Sequence, residues 1–180
     1  MEFEFTLDLE HELRSLTKMS ILRESANFRL DSSLVCAIMY QESYKSCKNF
    51  IEATFASRYE HGFYEKYLFE RPLVGVNPNY NKVSRSTERR SRAMSFGSMQ
   101  IMLQTAREFG FNHPYGPALC WPTANVHYGC KILKKYLLTY GPVDGIRKYN
   151  GSIKNPDTLV YYENIQSHLE SGRYLEILDG

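Results

Sequence analysis

The chain has 180 residues, a formal net charge of +2 and 43% hydrophobic residues, a composition that excludes an intrinsically disordered protein. Its length predicts one domain with a core of its own. So small a net charge gives no support for a nucleic-acid partner, and no apolar run approaches the roughly 20 residues that a membrane span needs.

The first predicted element is a helix close to the N-terminus, which Thr6 can cap. Leu9, Leu13 and Leu16 then recur at helical spacing. The N-terminal residues are acidic and interrupted by charges, so no secretory signal peptide is visible. We therefore expect synthesis in the cytoplasm.

A second helix is predicted after the capping segment DSS at residues 31–33. Leu34, Ile38 and Glu42 are spaced four apart, so they share one face of this helix. Glu42 thus projects from the apolar side at the C-terminal end, where burial and the helix dipole both raise the pKa of a carboxyl group. A raised pKa suits a general acid. The alternative is that the helix has ended and Glu42 points to solvent or pairs with Lys45.

Residues 45–92 lack a clear period and predict an irregular lobe or long loops, with room for a short hairpin. The run SRSTERRSR at residues 84–92 is expected to be a solvated, mobile loop. Its functional alternative is an electrostatic contact with an anionic surface.

The segment SFGSMQIM at residues 95–102 sets Gln100 between Met99 and Ile101, shortly after Gly97. A core segment favours another apolar residue at position 100, and a solvent-exposed loop favours fewer apolar ones. The mixture predicts a lined cleft, where the backbone approaches a ligand and one amide is kept for hydrogen bonding. The alternative is a buried turn with one satisfied glutamine.

Two more helices are predicted in the C-terminal half. One opens at Pro122 and stops at Gly141-Pro142, and the other opens at Pro156 and ends near Gly172. Because helices on both sides of the irregular middle are needed to cover one core, we predict a single domain over residues 1–180. The fold class is α+β and predominantly α-helical.

The four cysteines form neither a CxxC pair nor a zinc-type spacing with histidine, so no metal site and no cofactor are expected. Cys36 and Cys130 fall in helical patterns and are interpreted as small buried hydrophobic residues. A Cys36–Cys47 or a Cys120–Cys130 disulfide is not indicated, though either stays open.

Several segments, taken together and in order, resemble the lytic transglycosylase family of the lysozyme-like superfamily. They are YQES (40–43), AMSFGSMQIM (93–102), TARE (105–108), NVHYGCKIL (125–133) and YNG (149–151). The segment RYEHGFY (58–64) resembles a branch of that family that carries "RYEPGF". The resemblance covers residues 33–168 and leaves residues 1–30 as an N-terminal helical extension. Ser98 and Leu103 depart from the family's usual leucine and proline.

The resemblance implies a lysozyme-like fold, with a helical core lobe and a small irregular or β-hairpin lobe lining a glycan cleft. It implies cleavage of the MurNAc-β-1,4-GlcNAc bond of peptidoglycan with formation of 1,6-anhydro-MurNAc ends. Glu42 is then the catalytic residue, first as general acid and then as base. The implied substrate-binding residues are Ser43, Glu60, Gly97, Ser98, Met99, Gln100, Met102, Tyr149 and Asn150.

Within that set, Met99 and Met102 are expected to form the cleft floor, and Gln100 and Tyr149 to bind sugar rather than support the fold. Glu60 has two interpretations. It either ties the inserted lobe to the cleft wall through an ion pair with an arginine, or faces Glu42 and raises that residue's pKa by like-charge repulsion.

Two other functions stay open. A hydrolytic muramidase on the same scaffold needs a second acid, for which Glu52 and Glu60 are the candidates. A non-catalytic peptidoglycan-binding protein keeps the cleft without turnover. In each case the partners are peptidoglycan glycan strands, and the chain is expected to be a monomer acting on the periplasmic or extracellular cell wall after release or secretion.

Overall fold

The computed structural model describes residues 2–178, with side chains from residue 8 onward. The structure is mostly helical with one small antiparallel sheet, which confirms the predicted α+β, predominantly helical class. The helices are α1 (Glu2–Phe28), α2 (Ser32–Met39), α3 (Phe50–Thr54), α4 (His61–Phe63), α5 (Arg85–Ser91), α6 (Leu103–Glu108), α7 (Pro122–Asn150) and α8 (Asp157–Ser171). The strands are β1 (Ser57–Tyr59), β2 (Met94–Phe96) and β3 (Ile101–Met102).

Helix α1 begins at Glu2, so the prediction that Thr6 caps it is wrong; the side chain of Thr6 lies outside the described part. This helix packs mainly along α7. Leu13 and Ile21 are buried, at 2% and 0% exposure. The N-terminal extension is therefore part of the packed structure.

Helix α2 forms the centre of the core, and its predicted start is confirmed. The carboxylate of Asp31 accepts a hydrogen bond from the Ser33 N–H at 2.8 Å, as an N-cap does. Residues 35–39 are fully buried between α1, α8 and the C-terminal 3₁₀ turn Arg173–Ile177. The helix then continues as a π-helical turn, Tyr40–Tyr44, that contains Glu42.

The sheet has the order β1-β2-β3, with both neighbouring pairs antiparallel. β2 and β3 form a hairpin whose turn uses Gly97 at φ 74° and Gln100 at φ 44°. Glycine adopts positive φ without steric cost, whereas glutamine does so at a cost that its surroundings must offset. This hairpin lies outside residues 45–92, where the sequence left room for one; the strand found within those residues is β1, which pairs with β2.

The prediction that residues 84–92 form a loop is wrong, because they form helix α5, although residues 84–87 and Arg90 are exposed to solvent as expected. Ser84 caps α5 by accepting the Thr87 N–H at 3.1 Å. Glu88 and Arg92 lie one helical turn apart and are 1% and 0% exposed. These two charged side chains can be buried because their opposite charges pair with each other, and with Arg107, in the interior.

Helix α7 contains a break at Gly141 (φ 81°, ψ 176°), at the predicted stop. The chain resumes helical geometry at Pro142, so the predicted end is a kink and the helix extends to Asn150. This continuation places Tyr149 and Asn150 at a helix end. The start at Pro122 and the extent of α8, followed by Gly172 at φ 69°, are confirmed.

All four cysteines are free, and Cys36 and Cys130 are buried as expected. Among the described side chains, those of residues 8–178, no group of His, Cys, Asp and Glu is arranged to hold a metal ion. In that same part of the chain no helix is long and apolar enough to cross a membrane.

Candidate active site

A cavity of about 560 Å³ lies between the sheet and the ends of α2 and α7, and we call it the Glu42 cavity. It gathers side chains that are far apart in sequence, from the π-helical turn, β1, the β2–β3 hairpin and the second part of α7. Six of the ten predicted site residues line it: Glu42, Glu60, Gln100, Met102, Tyr149 and Asn150.

Glu42 has the environment that the helical spacing predicted. It is half-buried, and burial raises the pKa of its carboxyl group to about 7. A hydrogen bond from Tyr161 and the positive charges of Arg58 and Lys45 oppose this rise. No ion pair joins Glu42 to Lys45 within the described side chains. Glu42 thus titrates near neutrality while facing a cavity, although its catalytic role stays a prediction.

Side chains of α8 hold the π-helical turn that carries Glu42. Tyr161, which is 5% exposed, donates its hydroxyl proton to Oε1 of Glu42 at 2.7 Å. One residue earlier, Oε1 of Gln41 lies 2.9 Å from Nε2 of His168. π-Helical turns are often found at functional sites. Two side chains of one helix therefore fix the position of the candidate acid.

Tyr161 is the residue that the sequence analysis missed as a partner of Glu42. A signal for its burial was present, because Thr158, Tyr161, Ile165 and His168 recur at helical spacing and are all buried. A buried tyrosine hydroxyl needs a hydrogen-bond partner. The pattern indicates that such a partner exists but does not identify it.

Gln100 fits both interpretations of its segment, a cleft lining and a turn with a satisfied glutamine. Its side chain lines the Glu42 cavity, yet its amide is already engaged within the hairpin. Oε1 accepts the hydroxyl proton of Ser95 at 2.8 Å, and Nε2 donates to the Gly97 carbonyl at 2.9 Å. The expectation that Gln100 does not support the fold is wrong, because these bonds close the turn that holds it at positive φ.

Four predicted substrate-binding residues do not line the cavity: Ser43, Gly97, Ser98 and Met99. Met99 is fully buried and packs against Gly129. A Cβ added at Gly129 would lie 2.1 Å from the sulfur of Met99, so Met99 does not form the floor of the cleft. The Ser43 hydroxyl donates to the Ser98 carbonyl at 2.9 Å. The side chains of Ser43, Ser98 and Met99 lie behind the wall of the cavity and help to fix it.

Asn125, at the start of α7, organises that wall; in the sequence it opens the segment NVHYGCKIL but was not assigned to the site. It is 0% exposed, and its Oδ1 accepts the Met99 N–H at 2.8 Å and the Ser98 hydroxyl at 3.1 Å. Its Nδ2 donates to the carbonyls of Phe96 and Leu119 at 2.9 and 2.8 Å. Gly97 is required here because an added Cβ would lie 2.2 Å from this amide.

Tyr149 also has a structural role beside its place in the cavity. Its hydroxyl donates to the Met99 carbonyl at 3.0 Å, and burial raises its pKa well above the usual value. The expectation that Tyr149 does not support the fold is therefore wrong. Met102 is half-buried and Asn150 is exposed, so both can contact a ligand without losing an internal partner.

Glu60 lines the Glu42 cavity and pairs with Arg58. Because Arg58 lies two residues earlier on β1, this pair is local and does not tie a lobe to the cleft wall. Like-charge repulsion is not what raises the pKa of Glu42, since burial does so and the charges acting on it are those of Arg58 and Lys45. Glu52 lies outside the cavity and accepts the Lys48 N–H at 2.9 Å.

No protein-family model, curated protein or solved structure matches this chain. The chemistry available in the cavity is that of one carboxylic acid with a neutral-range pKa, a hydroxyl donor fixed on it, and a nearby ion pair. Such a site can transfer a proton to and from a polar substrate near neutral pH.

Proposed function

We propose that this protein is a peptidoglycan lytic transglycosylase with a lysozyme-like fold, and that the Glu42 cavity is its glycan cleft. The observation that carries the proposal is Glu42, a half-buried carboxyl group with a pKa of about 7 in a cavity of about 560 Å³. The resemblance of the ordered segments around Glu42, Gln100 and Tyr149 supports the same activity.

In the proposed reaction, protonated Glu42 donates its proton to the glycosidic oxygen of the MurNAc-β-1,4-GlcNAc bond, and GlcNAc leaves. The resulting carboxylate then accepts the proton of the MurNAc 6-hydroxyl, whose oxygen bonds to the anomeric carbon. The product is a 1,6-anhydro-MurNAc end, and Glu42 is protonated again. An internal hydroxyl is at high effective concentration, so no bound water is required. Tyr161 stabilises the carboxylate between the two steps.

The charge arrangement favours this reaction over hydrolysis by two carboxylates, which most glycosidases use. Among the lining residues, Glu60 is the one carboxylate besides Glu42. Its carboxylate is already engaged in an ion pair with Arg58. Glu52, the other candidate for a second acid, does not line the cavity.

The mass of the soluble products tests this assignment. Purified peptidoglycan digested with the protein is expected to release muropeptides with anhydro ends, each lighter by one water than the corresponding reducing-end product. Mass spectrometry before and after borohydride reduction separates the two, because an anhydro end is not reduced. Reducing ends would instead establish the hydrolytic muramidase, and glycan binding without release would establish the non-catalytic protein.

Replacing Tyr161 by phenylalanine is expected to move the pH profile of the reaction. Glu42 must be protonated to act as the acid, so kcat/KM falls as the pH rises through its pKa of about 7. The Tyr161 hydrogen bond lowers that pKa, and its loss raises it. The alkaline limb of kcat/KM in Tyr161→Phe should therefore lie at higher pH than in the wild type.

The matched control is Tyr162→Phe, because the neighbouring hydroxyl makes no hydrogen bond with Glu42. Its profile should coincide with that of the wild type. A Tyr161→Phe protein that loses activity equally at every pH would show a structural role for Tyr161 alone and contradict its action on Glu42.

A further inference from the structure

A second depression of about 580 Å³, which we call the Trp121 groove, lies on the other face of the sheet. Neighbouring residues of a strand point to opposite faces. Accordingly, Arg58 and its cross-strand partner Ser95 line the Glu42 cavity, whereas Ser57 and its partner Phe96 line the Trp121 groove. The two depressions thus share strands β1 and β2 without sharing a lining side chain.

Exposed aromatic rings surround this groove. Phe55, Tyr115 and Trp121 are 40%, 52% and 52% exposed. The rings of Phe55 and Trp121 meet edge to face, with centroids 5.9 Å apart and planes at 83°. A single exposed aromatic residue needs no explanation, but several around one groove are typical of a binding surface.

The backbone that presents these rings is already fixed. Nη1 of the buried Arg107 donates to the His113 carbonyl at 2.7 Å, and Nδ1 of His113 accepts the Tyr115 N–H at 3.2 Å. The Trp121 carbonyl accepts the Asn125 N–H at 2.9 Å, at the start of α7. A ligand therefore meets a preformed surface and has little chain to order on binding.

The chemistry of the lining selects the ligand. Among the side chains that the structure describes, no carboxylate, ammonium or guanidinium group lines the groove, although 42 of the 180 residues of the sequence (22 basic and 20 acidic) carry such a group. Its polar side-chain groups are the hydroxyls of Ser57, Ser91 and Tyr115, the imidazole of His113, the Cys120 thiol and the indole N–H of Trp121. A suitable occupant is neutral, has flat apolar faces for the rings, and carries hydroxyl or amide groups for these partners. Sugar rings combine these properties, whereas an acyl chain lacks the polar groups and an ionic peptide lacks the neutrality.

We propose that the Trp121 groove is a second saccharide-binding site, which holds a stretch of N-acetylated β-1,4-linked glycan by stacking on Trp121 and Tyr115. The choice of glycan rests on the proposed function of the Glu42 cavity. Because the groove lies on the opposite face of the sheet, it binds glycan away from the bond being cleaved. It thereby keeps the protein on its polymer between cleavage events.

Trp121 provides the assay, because it is the one tryptophan of the chain and its fluorescence reports from the groove. The probe is a soluble β-1,4-linked N-acetylglucosamine oligomer, titrated into Glu42→Gln protein so that no probe is consumed. We expect a saturable blue shift of the emission as a sugar ring covers the indole. Tyr115→Ala in the same background should raise the Kd about tenfold. Tyr140→Ala, which removes a 42% exposed tyrosine outside both depressions, should leave the Kd unchanged.

Co-sedimentation with insoluble chitin gives a second readout, in which Trp121→Ala should bind more weakly than Tyr140→Ala. The proposal would be overturned if the soluble oligomer did not shift the emission and chitin did not sediment the protein, or if Tyr115→Ala and its parent had equal Kd values. If the emission shifted with increasing protein concentration in the absence of sugar, the groove would bind a second copy of the chain, and the saccharide proposal would be overturned. Muropeptide release is measured separately, so glycan binding without cleavage refutes the proposed activity, and cleavage without groove binding refutes the second site.

Discussion

Glu42→Gln protein is expected to release soluble muropeptides about 10²–10⁴-fold more slowly than the wild type, the usual contribution of a general acid–base group. Glutamine keeps the size of the side chain and can still accept the hydrogen bond from Tyr161, but it has no proton to give to the glycosidic oxygen. The measurement is the initial rate of muropeptide release from purified peptidoglycan at pH 6, where Glu42 is mostly protonated given its pKa of about 7.

Thermal unfolding shows whether the variant is folded. The pKa of Glu42 predicts how the stability of the variant, relative to the wild type, depends on pH. The pKa of Glu42 is raised from 4.5 to about 7 on folding, so its contribution to stability is complete below about pH 4.5 and is lost as the pH rises through about 7. Glutamine does not titrate. The variant should therefore be at least as stable as the wild type at pH 8 and should lose less stability between pH 5 and pH 8.

The matched control is Glu52→Gln, because Glu52 is an exposed glutamate outside the cavity. It should retain the wild-type rate. A folded Glu42→Gln protein with unchanged turnover would remove Glu42 from the mechanism, and the proposed activity would then need another acid.

The location of Glu42 could be predicted because it depends on local spacing. Leu34 and Ile38 fix one helical face, and the structure continues helical winding through the π-helical turn. Burial of that face is what raises the pKa of Glu42. Its partner Tyr161 is 119 residues away in sequence, and a pairing over that distance leaves no local periodic signal.

The hairpin shows the opposite case, in which a motif was located but its side chains were misassigned. The mixture of small, apolar and amide residues at 95–102 predicted a cavity wall, and Gln100 and Met102 do line it. Because two residues of the turn have positive φ values, the sequence pattern does not predict which side chains face the cavity and which face α7. Met99 and Ser98 face α7 because Asn125 binds the backbone and hydroxyl groups there.

The charged run at residues 84–92 was misinterpreted from its composition, although its spacing carried the correct signal. Ser84 is a favourable N-cap residue, and Glu88 and Arg92 stand at the i and i+4 positions of a helical ion pair. A second cation, Arg107, comes from α6 and binds the same carboxylate. That long-range contact accompanies the burial of Glu88 and Arg92, and nothing local predicts it.

Glu88→Ala is expected to lower the free energy of unfolding by about 3–5 kcal/mol, as removal of one partner from a buried charge network does. Oε1 of Glu88 accepts from Nε of both Arg92 and Arg107 at 2.8 Å, and Oε2 accepts from Arg107 at 3.0 Å. Without the carboxylate, two guanidinium groups at 0% exposure keep their charge and lose their counter-ion. Urea denaturation followed by circular dichroism at pH 7 measures the loss.

The loss should extend beyond α5, because both arginines also hold backbone carbonyls of neighbouring loops. Arg92 donates to the carbonyls of Val74 and Val76, and Arg107 donates to those of Phe111 and His113.

Glu163→Ala is the matched control, since Glu163 is an exposed helical glutamate without an ion pair in the described part of the chain. Its loss of stability should stay within about 0.5 kcal/mol. Glu88→Gln separates charge from shape, because it keeps an oxygen acceptor while the counter-ion is lost. If Glu88→Ala were no more destabilising than the Glu163 control, the buried network would contribute nothing to holding these loops, and hydrophobic packing alone would position them.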